Sequence, residues 1–317
     1  MRPARFARSL RSFFIHLFPA PAPSSRQRFG GKSQSHLIAG FVGTVRGLCL
    51  GGPMRVLRFV LSFVLILTSS PHLNSQQSVA TSQRDTQALA LLRQCLTAGG
   101  GTQAFGTIQD FLASGTITYH WAGQDVVGSV TAQGKGLAEF RLDSVLSQGT
   151  RSFKVVGTAG SITTEDGKTT ALPYYSLMTA ANLTFPAARV ADVLNNSAST
   201  VRYVGLVPFE MAQAHQIHVV PPIDPSLIPP SGAAQFGSFD LYVDSTTFQL
   251  LELSESIWPV SNNQPLRHEI RYSNYRSAGS VVVPYGISES VNGQETWSMS
   301  LSSISFNNSP SDLLFKP

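Results

Sequence analysis

The amino-acid sequence predicts a mainly β (α+β) protein, a curved antiparallel sheet of about 11 strands accompanied by about three short helices. Three observations predict it. From 236 to 306 apolar and polar residues alternate almost without pause, the period-two signature of half-buried strands. Short turn signals break the run at 244–247, 261–263, Ala278-Gly279 and Asn292-Gly293, and Asn-Gly between alternating runs is the strongest short-range hairpin signal. Helical periodicity is confined to three short stretches. Sequential hairpins make an antiparallel sheet, and the twist of so many strands makes it curl or close.

Taken in order, the chain opens with an Arg- and Pro-rich segment, 1–53, that lacks periodicity and reads as a mis-started or disordered leader before Met54. Residues 54–75 read as a secretory signal peptide: a short basic start, an apolar core at 59–68 and a polar exit with a cut after Ser75. The ten-residue core is well short of the roughly 20 needed to span a bilayer as a helix. Residues 76–317 are expected to form one domain. Ten of the 23 basic residues and none of the 18 acidic ones lie in 1–58, so the rest of the chain carries 13 basic against 18 acidic residues. The high pI belongs to the leader. The remaining cations are scattered and do not interleave with aromatics, so no nucleic acid is expected as a partner. Of the two cysteines only Cys95 lies beyond the leader, so the mature domain has no internal disulfide, and no cysteine follows the apolar core to accept a lipid.

Residues 83–98 predict a helix, with Leu89, Leu92 and Leu96 at helical spacing, Asp85 in the first turn and Gly99-Gly100-Gly101 as a stop. Strands follow: Ile117, Tyr119 and Trp121 alternate with polar neighbours, as do Phe140 and Leu142. Segments 126–132, 151–156 and 161–164 complete a first meander. The period then changes, and 172–182 and 186–195 predict two helices, the first made greasy by Tyr174, Tyr175, Leu177 and Met178. Strands resume at 201–207 and 215–221, a Pro-rich loop spans 221–235, and a five-stranded meander follows. Its inward set is Phe239, Leu241, Val243, Leu251, Leu253, Ile270, Tyr272, Trp297, Met299 and Leu301. Residues 312–315 are placed to tuck an apolar clump back onto the sheet.

Catalytic and metal signatures are missing. There is no Gly-x-Ser-x-Gly elbow, His-Glu-x-x-His or Cys-x-x-Cys, and no phosphate-cradling glycine loop. His215 and His218 lie three apart on a strand and so face opposite ways, and His268 and Glu269 oppose each other as neighbours. No metal, no cofactor and no enzymatic activity are expected. The remaining question is whether the greasy face of the sheet is covered by the helices or left to a ligand. The inward apolar set on the strands outnumbers that on the helices.

Several motifs, in order over most of 84–317, resemble the LolA-like family of periplasmic lipoprotein carriers and outer-membrane lipoprotein-sorting proteins. They are ALALLRQCLTAGGG before a strand carrying Ser114-Gly115, FPAARVADVLNN followed by VRYVGLVPFEMAQAHQIHVV, FDLYVDSTTFQLLELSES, and the stretch with Tyr275-Arg276, Gly279 and Pro284 that ends in Asn, Asp and Phe. The resemblance implies an incomplete antiparallel barrel of the LolA/LolB type, lidded by helices over an apolar cavity for acyl chains. The cavity wall would be the inward set: Ile117, Tyr119, Trp121, Phe140 and Leu142 with the ten residues of the last meander. Tyr174, Tyr175, Leu177 and Met178 would form the lid, and Arg141 is the candidate for the strand arginine that latches it. The expected function is that of a soluble, monomeric periplasmic carrier of lipid or lipoprotein acyl chains, working with inner- or outer-membrane envelope proteins. The alternatives are an envelope interaction module of the same fold with a filled cavity and a protein partner, and an enzyme on a lipid-like substrate.

Overall fold

The computed structural model describes residues 83–121, 123–172, 177, 185–223, 237–257 and 265–317. The leader, the signal segment and the predicted lid residues Tyr174, Tyr175 and Met178 lie outside them. The described residues belong to one compact unit.

Thirteen strands form a single antiparallel sheet, open and curved. They are β1 (Asp110–Trp121), β2 (Gln124–Lys135), β3 (Glu139–Leu146), β4 (Gly149–Val156), β5 (Ala159–Thr163), β6 (Thr169–Leu172), β7 (Thr200–Phe209), β8 (Ala212–Val220), β9 (Phe239–Asp244), β10 (Leu250–Ile257), β11 (Leu266–Ala278), β12 (Val281–Val291) and β13 (Gln294–Phe306). The spatial order is β6-β5-β4-β3-β2-β1-β13-β12-β11-β10-β9-β8-β7. Every neighbour except one is a sequential hairpin. The exception is β1 against β13, which joins two meanders at mid-sheet: Ile117 faces Met299 and Tyr119 faces Trp297. The edges are therefore β6 and β7, consecutive strands at opposite ends of the sheet. The chain between them has to cross a face.

That crossing carries α3 (Pro186–Asn195), which begins with Pro at its first position, where the missing N–H costs nothing, and buries Pro186, Val190 and Val193. Helix α1 (Thr86–Ala98) is capped by Asp85, whose carboxylate accepts from the Gln87 and Ala88 amides, so Asp85 stands just outside the first turn. It buries Ala88, Leu91, Leu92 and Leu96, each Leu contributing about 1.5–3 kcal/mol. The short α2 (Thr102–Gly106) buries Phe105. All three helices share one hydrophobic core with the inner face of the sheet. Leu177, 4% exposed, packs on Gly160 of β5, where a Cβ would lie 2.5 Å from its Cδ2.

Two elements depart from the sequence reading. β6 is a strand of four residues, Thr-Thr-Ala-Leu, too short to show a period, and Leu172 ends it instead of starting a helix. The five residues of α2 likewise hold barely one helical turn. Opposite Ser114 and Gly115, the extra residue Ser302 makes a bulge in β13 where it meets β1. Gly115 is required there, since a Cβ would fall 2.2 Å from the Ser300 carbonyl oxygen.

Candidate functional site: the inner face and its helical cover

Pairing register defines the inner face. One row crosses eight strands as Tyr119, Trp297, Glu289, Ile270, Leu253, Leu241, Ile217 and Tyr203. Directly paired residues share a face, so all eight side chains stand on the side covered by the helices. Of the 15 sequence-predicted wall residues, 14 are buried: Ile117, Tyr119, Trp121, Phe140, Leu142, Phe239, Leu241, Val243, Leu253, Ile270, Tyr272, Trp297, Met299 and Leu301. Leu251 is the exception. A bulge between Leu250 and Glu252 shifts the register of β10, so Leu250 and Leu253 turn inward and Leu251 is only half-buried. Strict alternation misplaces it by one.

The two ends of the inner face differ in chemistry. At one end, under the helices, Phe185 before α3 lies 5.8 Å from Phe105, 5.8 Å from Phe111 and 5.5 Å from Phe306, ring centre to ring centre. Beside this cluster, a small cavity of about 30 Å³ opens at the seam between helices and sheet, room for roughly two waters. Cys95, Leu96, Phe105, Phe185, Pro186 and Val190 wall it from the helix side, and Gln249, Leu250, Tyr275, Val283 and Pro284 from the sheet side. The Tyr275 hydroxyl is spent on the Leu250 carbonyl, at 2.6 Å. Burial pushes the Cys95 thiol up to about 12, with a backbone hydrogen bond from Leu250 working the other way, so the thiol stays neutral.

The opposite end is ionic. His268 stands between two carboxylates, Nδ1 2.8 Å from Glu255 and Nε2 2.9 Å from Glu289, with side chains 8%, 8% and 6% exposed. Thr296 Oγ1 donates to the second oxygen of Glu289. Burial works to lower the His268 pKa, but the two carboxylate hydrogen bonds outweigh it and hold the imidazole raised to about 10, cationic at neutral pH. Nearby, Arg151 (2% exposed) pairs with Glu165 at 2.9 Å and lies 5.7 and 5.3 Å from the Tyr119 and Trp121 ring centres. Tyr119 shares a 3.0 Å hydrogen bond with Ser144, and burial pushes its phenol up to about 12 against the pull of Arg151. Alternation did hold the signal for this end. His268, Ile270 and Tyr272 share one parity, as do Arg151, Phe153 and Val155.

The helical cover is pinned at both ends of α1. At its start, the Asp85 amide donates to the Val201 carbonyl and the Val201 amide to the Gln83 carbonyl, both at 2.8 Å, tying the chain to edge strand β7. At its end, the Gly99 carbonyl accepts from the Val282 amide at 2.7 Å. Gly100, at φ 120°, sits where a Cβ would be 2.6 Å from the Ser280 oxygen. Arg84 caps α3 as well: its guanidinium donates to the carbonyls of Val193 (2.9 Å), Leu194 (3.1 Å) and Asn196. These are the carbonyls a helix C-terminus leaves unpaired.

Arg141, the sequence candidate for a latch, has the opposite parity to Phe140 and Leu142 and stands on the outer face. There it bonds Asp143 at 2.6 Å and the Leu314 carbonyl at 3.1 Å, holding the last residues of the chain and not the helices. His215 meets the Tyr203 hydroxyl at 3.1 Å, while His218 turns to Asp240 at 2.8 Å. Among the described residues no group of three or more His, Cys, Asp or Glu side chains is arranged to hold a metal, and no helix is long and apolar enough to cross a membrane.

No family model matches the chain, and no curated protein matches it. Solved structures do. A LolA superfamily protein from Nitrosomonas europaea is 12% identical with a TM-score of 0.48, over 73% of this chain and 97% of that one. A putative outer membrane lipoprotein-sorting protein domain from Vibrio parahaemolyticus is 8% identical with a TM-score of 0.45, over 72% and 96%. A DUF1329 family protein from Desulfovibrio piger is 9% identical with a TM-score of 0.44, over 72% and 97%. In fold, the chain is similar to LolA superfamily proteins and to an outer-membrane lipoprotein-sorting domain.

Proposed function

We propose that this protein is a periplasmic carrier that takes acyl chains of a lipid or lipoprotein between its helical cover and the inner face of its sheet. The observation that carries the reading is the apolar seam at the helix-covered end, where cavity, aromatic cluster and short helices coincide. The cavity of about 30 Å³ is far too small for a chain, so the described state is the closed one. Loading requires the cover to move. Helix α1 is bonded to the sheet at both ends, which leaves α3 as the moving part. An acyl chain of about sixteen carbons gains roughly 10 kcal/mol on burial before ordering costs, enough to offset the three buried side chains that α3 withdraws. The same chain then replaces helix contacts with its own, so loading and release differ by little. Tyr174, Tyr175, Leu177 and Met178, which precede α3, are assigned to this lid.

The test is native mass spectrometry of the protein secreted by a Gram-negative host and purified without detergent. Extra mass that leaves on organic extraction and reads as acyl lipid is the expected result. A bare mass, with no later uptake of a fluorescent fatty acid, overturns the carrier. One observation favours a second reading: the inner face is already filled by the protein's own helices. On that reading the protein is an envelope interaction module that works through its surface with a protein partner, and the bare mass is its signature.

A further inference from the structure

Residues beyond β13 run back over the outer face of β2, β3 and β4 as a strap, with three cations meeting it. Lys135 Nζ lies 2.7 Å from the Asp312 carboxylate. Arg141 Nη1 donates to the Leu314 carbonyl at 3.1 Å and Lys154 Nζ to the Lys316 carbonyl at 3.3 Å. Phe315 is fully buried, while Leu313 is 69% exposed. The buried Asp110 carboxylate accepts from the Asn308 and Ser309 amides at 2.6 and 3.0 Å, and Asn307 and Ser309 both take positive φ, 59° and 53°.

The ground beneath the strap is unusual. Arg141 and Lys154 are direct cross-strand partners, an arrangement that repels unless electronegative groups lie over it. Asp143 supplies one such group and the carbonyls of the strap supply the rest. The strap is anchored at its start by Asp110, but past Ser309 one buried ring, an exposed ion pair and two cation-to-carbonyl bonds must offset the ordering of the remaining residues.

We propose that residues 307–317 are a self-ligand on a peptide-docking groove of the outer face, and that the groove takes in trans an extended partner segment carrying a carboxylate three residues before an aromatic ring. The Asp312 and Phe315 spacing defines the motif; the backbone of the partner meets Arg141 and Lys154, and its carboxylate meets Lys135.

The experiment is fluorescence anisotropy with a labelled synthetic peptide copying 307–317, titrated with the full-length chain and with its Phe315→Ala variant. The variant, whose own strap no longer competes, should bind the peptide at least about tenfold more tightly than the parent chain. A peptide with Ala for Phe should not bind, and adding Lys154→Glu to the variant should weaken binding. Equal binding of a scrambled peptide, or no saturable binding by a variant that still melts cooperatively, overturns the proposal. Amide exchange of the unmodified chain tests it without any substitution. The Asn308, Ser309 and Leu314 amides should exchange well before those of β3, and exchange only on global unfolding overturns it. A dimer of the parent chain that Phe315→Ala abolishes would give the groove to a second copy and overturn the partner assignment.

Discussion

The two ends of the inner face are buried in opposite ways. The helix-covered end packs aromatic rings and aliphatic side chains around a small cavity, with the Tyr275 hydroxyl bonded to the Leu250 carbonyl on the sheet side and, among the described residues, no buried ion pair. The other end buries ions, each oriented by a specific hydrogen bond: Glu255 to His268 to Glu289 to Thr296, and Arg151 to Glu165. An apolar interface can part and close on something else of similar size. A buried ion that loses its partner cannot, because the desolvation already incurred is then uncompensated. The comparison assigns rigidity to the ionic end and adaptability to the apolar one.

The largest effect should come from breaking the ionic end. His268→Ala leaves two carboxylates side by side without their cation, and should cost about 3–5 kcal/mol in urea unfolding. Adding Glu255→Gln and Glu289→Gln to that variant should recover part of the loss; no recovery would mean that the cost is a cavity and not a charge. The same triad predicts a pH dependence. The folded His268 pKa is raised to about 10 from its ordinary 6.5, so its contribution is fully present below about 6.5 and is lost as pH rises through 10. Between pH 6.5 and 9 the urea midpoint should therefore fall, and in the variant lacking His268 this fall should disappear.

Next in size is Phe185→Ala at the apolar end. Truncating a Phe in a rigid core costs about 3–5 kcal/mol. If this end is adaptable, α3 settles into the space and the loss stays near the lower bound, at about 3 kcal/mol. Uptake of a fluorescent fatty acid should then rise instead of falling. A loss as large as that of His268→Ala, with no gain in uptake, would erase the contrast between the two ends.

How much of this contrast was legible in the sequence follows from what alternation can and cannot carry. Hairpins are local, so 12 of the 13 strands and the five-stranded final meander follow from period and turn residues. The pairing of β1 with β13 joins residues such as Ile117 and Met299, far apart in the chain, and no local signal specifies it. Leu251 fails because a bulge adds one residue to β10, and a single slip exchanges the faces. His268 illustrates a different limit: parity with Ile270 and Tyr272 puts it inside, but only the register of β10 and β12 shows that Glu255 and Glu289 flank it. Arg84 had no signal at all, since its partners are backbone carbonyls of a helix more than a hundred residues later.

Arg84 gives the smallest and most specific prediction. Its guanidinium joins the start of α1, which is fixed to β7, to the end of α3, which the carrier reading requires to move. Hydrogen bonds from a charged donor to a partly buried helix end are worth about 1–2 kcal/mol, so Arg84→Ala should lower global stability only by that much. The effect on opening should be out of proportion to the effect on stability, because α3 loses its clamp while the sheet keeps every contact. Cys95 reports it directly. Its half-buried thiol lines the cavity beside Pro186, Ala187 and Val190 of α3 and desolvation keeps it protonated, so opening of that seam should speed its reaction. In Arg84→Ala the rate of Cys95 labelling at pH 8 should rise about tenfold, the equivalent of some 1.4 kcal/mol in the opening equilibrium. Arg84→Lys, which keeps the charge but not the fork that reaches three carbonyls, should fall between the two. An unchanged labelling rate would mean that the seam opens elsewhere than at α3, and the contrast would then concern packing alone and not motion.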